Sequence, residues 1–322
     1  MLTTKLKHTD LTVSRICLGT MTFGGQADET AARAILDRCL DAGINFVDTA
    51  NIYTKGASEE IVGRLLRGRR QRVVLASKVR GKMGDGPDET GLSRRAVLKA
   101  IDDTLHRLNT DYLDFYYLHQ PDYDVPLDET LEAMDLLVRQ GKVRHPASSN
   151  YSGWQVTQML WIAETHGYKP AWVTQPMYNL LARGIEQEYL PMCKQFGVST
   201  VVYNPLAGGL LTGKHRSEAP VPGTRFDKNQ LYLDRYWHPA YFEAVDKLRG
   251  IADGAGRSLA SLSLNWLLHH TAADCIILGA SRAEQIDENL RSLDDGPLTS
   301  DTVHACDEVW ASLRGVTPKY NR

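Results

Sequence analysis

"INFVDTANIY" (44–53) runs through apolar residues, closes on a carboxylate at Asp48 and carries a phenol five positions later, at Tyr53. Taken alone, it is a strand that ends in a polar turn, where Asp and Asn are favoured. Repetition gives it weight. The core of this stretch, "NFVDT" (45–49), is one of eight short β-branched or aromatic runs. The others are "ICLGT" (16–20), "VVLASKV" (73–79), "YLDFYYLH" (112–119), "VRHPASSN" (143–150), "AWVTQPM" (171–177), "STVVYNP" (199–205) and "CIILGA" (275–280). Between them the apolar residues take helical spacing, at 28–42, 58–67, 93–107, 128–139, 153–166, 186–195, 258–269 and 282–292. Ser58 and Ser93 stand where helix caps are expected.

Eight strand–helix units of roughly 25–40 residues, with no Gly/Ser or Pro-rich linker between them, predict one domain over 1–322. The fold expected is α/β, a (β/α)8 TIM barrel. An open doubly wound sheet would want a glycine-rich first turn. The segment "KLKHTDLTVS" (5–14) precedes the first strand and predicts a hairpin capping the barrel floor. The longest gap, 206–238, is expected to lie over the active face.

Composition narrows the function classes. Of the 322 residues 43% are apolar, enough for a large core, and the formal net charge is −2. That balance argues against nucleic acid or an anionic membrane as the main partner. No apolar run approaches the ~20 residues of a membrane span. The opening "MLTTKLKHTD" lacks the apolar core of a signal peptide. The five cysteines (Cys17, Cys39, Cys193, Cys275 and Cys306) are scattered, odd in number and without a CxxC pair. They fit a reduced cytoplasm and core packing, with no metal site. The oligomeric state is left open.

A barrel puts its chemistry at the C-terminal ends of its strands. The polar residues there are Asp48, Lys78, His119, Asn150, Gln175 and Tyr203. Each singly has a bland reading as a strand end, a surface charge or a satisfied partner. Together, a carboxylate, an ammonium and an imidazole on strands two, three and four come within reach of one another, with Tyr53 leaning over from the next loop. A free tyrosine titrates near ~10. A neighbouring ammonium lowers that value, and a carboxylate beside the ammonium offsets its desolvation. A histidine orients a carbonyl oxygen. The set suits protonation of an oxygen while hydride arrives at carbon, and since no side chain donates hydride, a cofactor is implied.

Nucleotide-binding motifs are sparse. There is no GxGxxG; "GDG" (84–86) and "GAG" (254–256) are fragments. "GGLLTGKH" (208–215) matches GxxxxGK, but His215 replaces the Ser or Thr of a P-loop, and Pro220 and Pro222 interrupt the helix that should follow. Lys214 remains a phosphate-binding candidate. "GASRAEQIDENL" (279–290) opens a helix after the last strand, whose N-terminus can receive phosphate, with Ser281 as its cap.

At this point the chain resembles the aldo-keto reductases over nearly its whole length. "FVDTANIY", "LASKV" and "LDFYYLHQPD" match that family's tetrad at Asp48, Tyr53, Lys78 and His119. "QPMYNL", "YNPLAGGLLTGK" and "LGASRAEQIDENL" match its cofactor segments. The resemblance implies NADPH extended across the barrel mouth and a small-molecule carbonyl substrate. It places Thr20, Met21 and Gln26 near the cofactor with Asp48, and Ser149, Asn150 and Gln175 at the carboxamide. Tyr203 would stack on the nicotinamide. Asn204, Pro205, Leu206, Ala207, Gly208, Lys214 and Arg225 would line the pyrophosphate and ribose. Gly279, Ser281, Gln285, Glu288 and Asn289 would hold the 2′-phosphate and adenine end, with Arg225 reading the phosphate. Two departures stand out: Asn204 where serine is common, and Pro146 and Ala147 in the fifth strand, with glycine usual at the latter.

The resemblance admits other roles. "GTMTFGGQ" is close to the beta subunits of voltage-gated potassium channels, which implies a regulatory or redox-sensing NADPH binder. In those subunits the position of His119 tends not to be histidine, so an intact tetrad favours an enzyme. Reduction of a sugar-derived ketone is a third reading. Substrate choice is expected from 81–91, 206–238 and the tail 314–322, with Arg235, Tyr236, Trp237 and His238 as candidate wall residues.

Overall fold

In the computed structural model, which describes residues 1–227 and 229–316, all eight apolar runs contain strands. A hairpin comes first: β1 (Thr3–Lys5) pairs antiparallel with β2 (Thr12–Ser14). The barrel strands follow as β3 (Ile16–Gly19), β4 (Phe46–Asp48), β5 (Val74–Val79), β6 (Leu113–Leu118), β7 (Val143–Ser149), β8 (Val173–Gln175), β9 (Ser199–Val202) and β10 (Cys275–Gly279). Each is parallel to its neighbours, and β10 closes the ring on β3. This is the expected (β/α)8 TIM barrel with its N-terminal hairpin.

Strand alternation divides the core in two. Cys17, Phe46, Val74, Ala76, Phe115, Tyr117, Ala147, Val173, Val201 and Cys275 fill the barrel, joined by Leu6, Leu11 and Val13 of the hairpin. Intervening residues such as Leu18, Val47, Leu75 and Tyr116 pack outward in the larger cluster shared with the helices. The hairpin is fastened to the floor. Lys7 N donates to Ser199 Oγ at 2.9 Å, and the Arg15 guanidinium donates to the Ala273 and Asp274 carbonyls at 2.7 and 3.1 Å.

The helices are α1 (Glu29–Asp41), α2 (Ala57–Leu65), α3 (Arg94–Leu108), α4 (Leu127–Arg139), α5 (Gly153–His166), α6 (Tyr189–Phe196), α7 (Gln230–Tyr236), α8 (Pro239–Gly254), α9 (Leu259–His270), α10 (Ala283–Asp294) and α11 (Ser300–Arg314). Eight match the periodic stretches to within a few residues. Three were not foreseen. α7 lies within the expected loop; α8 begins with Pro239 at its first position, capped by His238 Nδ1 accepting from Ala240 N. α8 and α11 pack on each other, and Asp307 of α11 meets Arg183 at 2.7 Å.

Ser58 does not cap α2. The cap position is Gly56, at φ 95°, and Ser58 is wholly buried, its hydroxyl donating to Thr20 O at 2.8 Å and meeting the Thr49 hydroxyl at 3.1 Å. Pro146 is tolerated in β7 because β8 pairs with that strand only at Ser148 and Ser149. Around Pro146 one flank of β7 carries no ladder, which is the setting proline needs in a sheet.

Gly63 marks a close approach of α2 to α3. A Cβ there would stand 2.6 Å from the Arg107 carbonyl oxygen and 2.6 Å from the Leu108 carbonyl carbon. Glycine to alanine in a helix ordinarily stabilises by ~1 kcal/mol. Here the clash is with backbone, so Gly63→Ala is expected to destabilise by roughly 1–3 kcal/mol. Urea unfolding of the two proteins checks this, and a more stable variant would contradict the close packing.

Candidate active site

The same alternation that fills the barrel turns Asp48, Lys78, His119 and Gln175 inward at its upper rim. Two residues below each lies an interior apolar or aromatic group: Phe46, Ala76, Tyr117 and Val173. Lys78 is fully buried. Its Nζ forms a contact ion pair with Asp48 Oδ1, donates to Thr49 O at 2.8 Å and reaches Tyr53 Oη at 3.3 Å. Gln175 Nε2 donates to the other Asp48 oxygen at 3.0 Å. The carboxylate thus has both oxygens engaged, as a buried charge requires.

Tyr53 comes from outside the barrel. It opens a 3₁₀ turn, Tyr53–Gly56, in which Thr54 and Lys55 take φ of 48° and 52°. The turn swings its ring over Lys78, with Nζ 5.0 Å from the ring centroid. His119 meets the same ring edge-on, centroids 6.0 Å apart. The four residues expected to act together therefore converge.

Burial sets the electrostatics. It pushes the Tyr53 phenol above its ordinary range; the Lys78 charge pulls the other way and Asp48 adds to the rise. Lysine was expected to leave this phenol more acidic, but desolvation outweighs it, and the hydroxyl stays protonated at neutral pH. Burial works against charge on Lys78, yet Asp48 and Tyr53 hold the ammonium above the usual lysine range. Burial, then the Lys78 and Arg80 charges, take His119 down to about 3. It is a neutral imidazole, fit to donate or accept a hydrogen bond and unfit to be the acid.

Asp48, Tyr53 and His119 line a cleft of about 1520 Å³ across the barrel mouth. Met21, Gln26, Asp48, Tyr53, His119, Ser149, Asn150, Gln175, Tyr203, Asn204, Pro205, Leu206, Gly208, Lys214, Arg225, Gly279, Ser281, Gln285, Glu288 and Asn289 all face it. Three expected residues do not. Lys78 sits behind Tyr53 and Asp48. Thr20 is buried, its hydroxyl donating to Asp48 O at 3.1 Å. Ala207 is buried at φ 49° in a turn of the wall.

Asn150 and Asn204 both take positive φ, 61° and 58°, a region asparagine tolerates. That suits an asparagine at 204, where serine is common in the resembling proteins. Asn150 donates to His119 O at 2.8 Å and accepts from Tyr203 Oη at 2.6 Å, so Pro146 has not displaced it from the rim. Asn204 Nδ2 is buried beside the cleft and has no partner among the described residues.

The cleft wall also carries Lys214, Arg225 and Arg282. Among the described residues none of the three makes an ion pair. Burial, then the nearby Arg282 charge, lowers the Lys214 ammonium below the ordinary lysine range. Cations without ion-pair partners in the cleft wall, with an orphaned amide donor on the same wall, fit a phosphorylated cofactor. Ser281 is not the cap of α10. Arg282 holds that position, and Gln285 Oε1 accepts from Ser281 N at 2.7 Å.

Sequence reasoning missed Arg282, although it lies inside the quoted "GASRAEQ". It also missed Tyr232, whose hydroxyl donates to Asn204 Oδ1 at 3.3 Å and whose ring lies 5.4 Å from the Arg225 guanidinium. Of the four expected wall residues only Arg235 lines the cleft. Tyr236 Oη is turned to Met177 Sδ and Asn179, Trp237 Nε1 donates to Ser217 O, and His238 caps α8. Segment 206–238 does overhang the mouth, through Gly208, Arg225, Leu231 and Tyr232 among others. Segment 81–91 does not; Gly81, Met83 and Asp88–Gly91 enclose a separate small cavity with Asn51 and Arg107. Of the tail, 317–322 lies outside the described residues, and 314–316 is absent from the cleft wall. Among the described residues no helix is long and apolar enough to cross a membrane.

Comparison with known proteins agrees with this geometry. The sequence model of the Aldo/keto reductase family matches residues 15–311. Aflatoxin B1 aldehyde reductase member 2 of Homo sapiens is 36% identical over 323 residues, 95% of this chain and 89% of the relative. A probable voltage-gated potassium channel subunit beta of Oryza sativa subsp. japonica is 35% identical, covering 98% of each chain. The uncharacterized oxidoreductase YrpG of Bacillus subtilis (strain 168) is 36% identical over 98% of each. With a family match from the first barrel strand into the last helix, on a closed eight-stranded barrel, the chain belongs to the aldo/keto reductase family.

Proposed function

We propose that the protein, acting as a single barrel domain, reduces an aldehyde or ketone to an alcohol with NADPH, and that Tyr53 donates the proton. The observation that carries this reading is a phenol hydroxyl 3.3 Å from a buried, paired ammonium, with an imidazole edge-on to the same phenol ring. NADPH, when bound, supplies the hydride that reduces the carbonyl carbon. The chain's own groups handle the oxygen. His119, uncharged, donates a hydrogen bond that orients it. Tyr53 Oη transfers its proton as negative charge builds there, and Lys78 stabilises the phenolate left behind. Asp48 keeps the ammonium in place. Asn150 and Gln175 would hold the carboxamide of the bound cofactor, Tyr203 would offer its ring to the nicotinamide, and Lys214, Arg225 and Arg282 would receive the phosphates. The human relative is named as an aldehyde reductase, and a reductase role for this chain fits the complete tetrad better than a purely regulatory one.

Tyr53→Phe keeps the ring and deletes the proton. Turnover of a model aldehyde should fall by roughly 10²–10⁴, with NADPH still bound. Steady-state kinetics across pH check this; near-normal turnover would take the acid role from Tyr53.

Cofactor choice tests the cations of the cleft wall. A charge-assisted hydrogen bond contributes ~1.5–3 kcal/mol. Arg225→Ala and Arg282→Ala should therefore each weaken NADPH roughly 10- to 100-fold and leave NADH nearly unaffected. Fluorescence titration of both cofactors decides. Equal losses for the two would mean that these arginines support the loop and do not read the phosphate.

His119 has a signature in stability. Held near 3 in the fold, it returns to its ordinary 6.5 on unfolding. Between those values the unfolded chain binds the extra proton, so stability falls as pH drops through the window. His119→Gln lacks this difference. On acidification from about pH 6.5 to 4, wild type should lose up to about 1.4 kcal/mol per pH unit more than the variant. Urea unfolding at several pH values measures the slopes, and identical slopes would show that His119 titrates freely when folded.

A further inference from the structure

Besides Asp48, one carboxylate close to the tetrad is wholly buried and has no part in the chemistry above: Glu59, in the first turn of α2. It is fully engaged. Glu59 Oε1 accepts from the Ser77 hydroxyl, and Oε2 accepts from Arg107 Nε at 2.7 Å. Isolated in the interior such a charge would be strongly unfavourable, and pairing alone rarely makes it a net stabiliser. Its partners suggest a different use.

Ser77 immediately precedes Lys78 on β5. By strand alternation it faces the helices while Lys78 faces the barrel. Glu59 follows Tyr53 by six residues, just beyond the 3₁₀ turn that swings the phenol over the mouth. The carboxylate therefore fastens the Tyr53 turn to the Lys78 strand from outside the barrel wall. Arg107, in the last turn of α3, also packs against that turn at Gly56. A Cβ at Gly56 would stand 2.9 Å from Arg107 Cδ and 3.2 Å from its Nε. Thr54, Lys55 and Gly56 all take positive φ, a backbone that persists only where its surroundings hold it.

From this juxtaposition we infer that Glu59 and Arg107 are positioning residues, which set the placement of the Tyr53 hydroxyl against Lys78 from the far side of β5. The inference rests on the reductase reading for its effect on turnover, but not for its effect on Tyr53.

The test uses full-length protein carrying ¹³Cζ-labelled tyrosine. The Tyr53 signal, assigned by its loss in Tyr53→Phe, reports the environment of the phenol at neutral pH without any turnover. Glu59→Gln leaves Arg107 unpaired, so the double variant Glu59→Gln/Arg107→Met is made as well. It buries no unmatched charge, and its Tm should recover toward wild type. In both, the Tyr53 signal should move, and kcat should fall by up to about 10²-fold with KM little changed. Ser77→Ala, which cuts only the tie to β5, should move the same signal less. Arg64→Ala, on the same helix as Glu59, breaks the exposed pair with Glu29 of α1 and should move nothing. A purely structural role predicts otherwise: kcat would return with Tm in the double variant. That result, or a Tyr53 signal unmoved in all the Glu59 variants, overturns the assignment. If wild type reduces no carbonyl substrate, the reductase reading fails on its own, and the Tyr53 signal still decides the positioning role.

Discussion

A lysine ammonium with no exposed surface is the constraint around which the rest of this molecule is arranged. Several kcal/mol would be lost by burying that ion without compensation. Every compensating group therefore has to arrive at one point: the Asp48 carboxylate from β4, the Thr49 carbonyl from the strand end, the Tyr53 phenol from the turn beyond. Parallel strands at adjacent barrel positions deliver the first two at fixed spacing. The third depends on a short turn with unusual backbone angles. What the pair contributes is definition of geometry more than net stability. The chemistry needs that definition, because a proton donor is useful only within hydrogen-bond reach of the oxygen it serves.

The apolar filling beneath the pair has a part in this. Phe46, Ala76, Phe115 and Tyr117, with Leu6 and Leu11 of the hairpin, close the interior from below. Desolvation then dominates the electrostatics at the rim. It holds the phenol in its protonated form and the imidazole in its neutral form. A wetter floor would weaken the Lys78–Asp48 attraction and leave His119 titrating in the physiological range. The starting protonation states of the proposed reaction are in this sense a property of the whole barrel.

Period-two alternation made much of this legible in the sequence. Asp48, Lys78, His119 and Gln175 each follow an interior residue by two places, and a strand-end reading finds them all. The resemblance supplied the cleft residues that composition never could, such as Gln285 and Asn289. What escaped was whatever depends on distant chain segments meeting. Ser58 reads as a helix cap in sequence, yet it is a buried bridge between β3 and β4, since Gly56 already makes the turn. Tyr232 and Arg282 matter through neighbours far away in the chain. Thr20 and Ala207 carry the right residue types in the right segments, yet both are buried outside the cleft wall. The 81–91 segment looks like a substrate loop until its folding over Arg107 is seen. α8 and α11 went unread because they pack on each other and on the barrel's outer layer, with no strand beside them to announce the unit.

Closure of the ring has a consequence for how the chain is made. β3 begins at residue 16 and acquires its second neighbour only at β10, and the Arg15–Asp274 contact joins residues 259 positions apart. During synthesis the first barrel strand emerges early, pairs with β4 and presents an open, apolar edge until nearly the whole chain has followed. Such long-range pairing slows folding and leaves an edge open to wrong partners. The hairpin rooted at the same place is fastened through Ser199 and the Ala273 and Asp274 carbonyls, partners that also emerge late. Floor and seam are therefore completed by the same late stretch of chain.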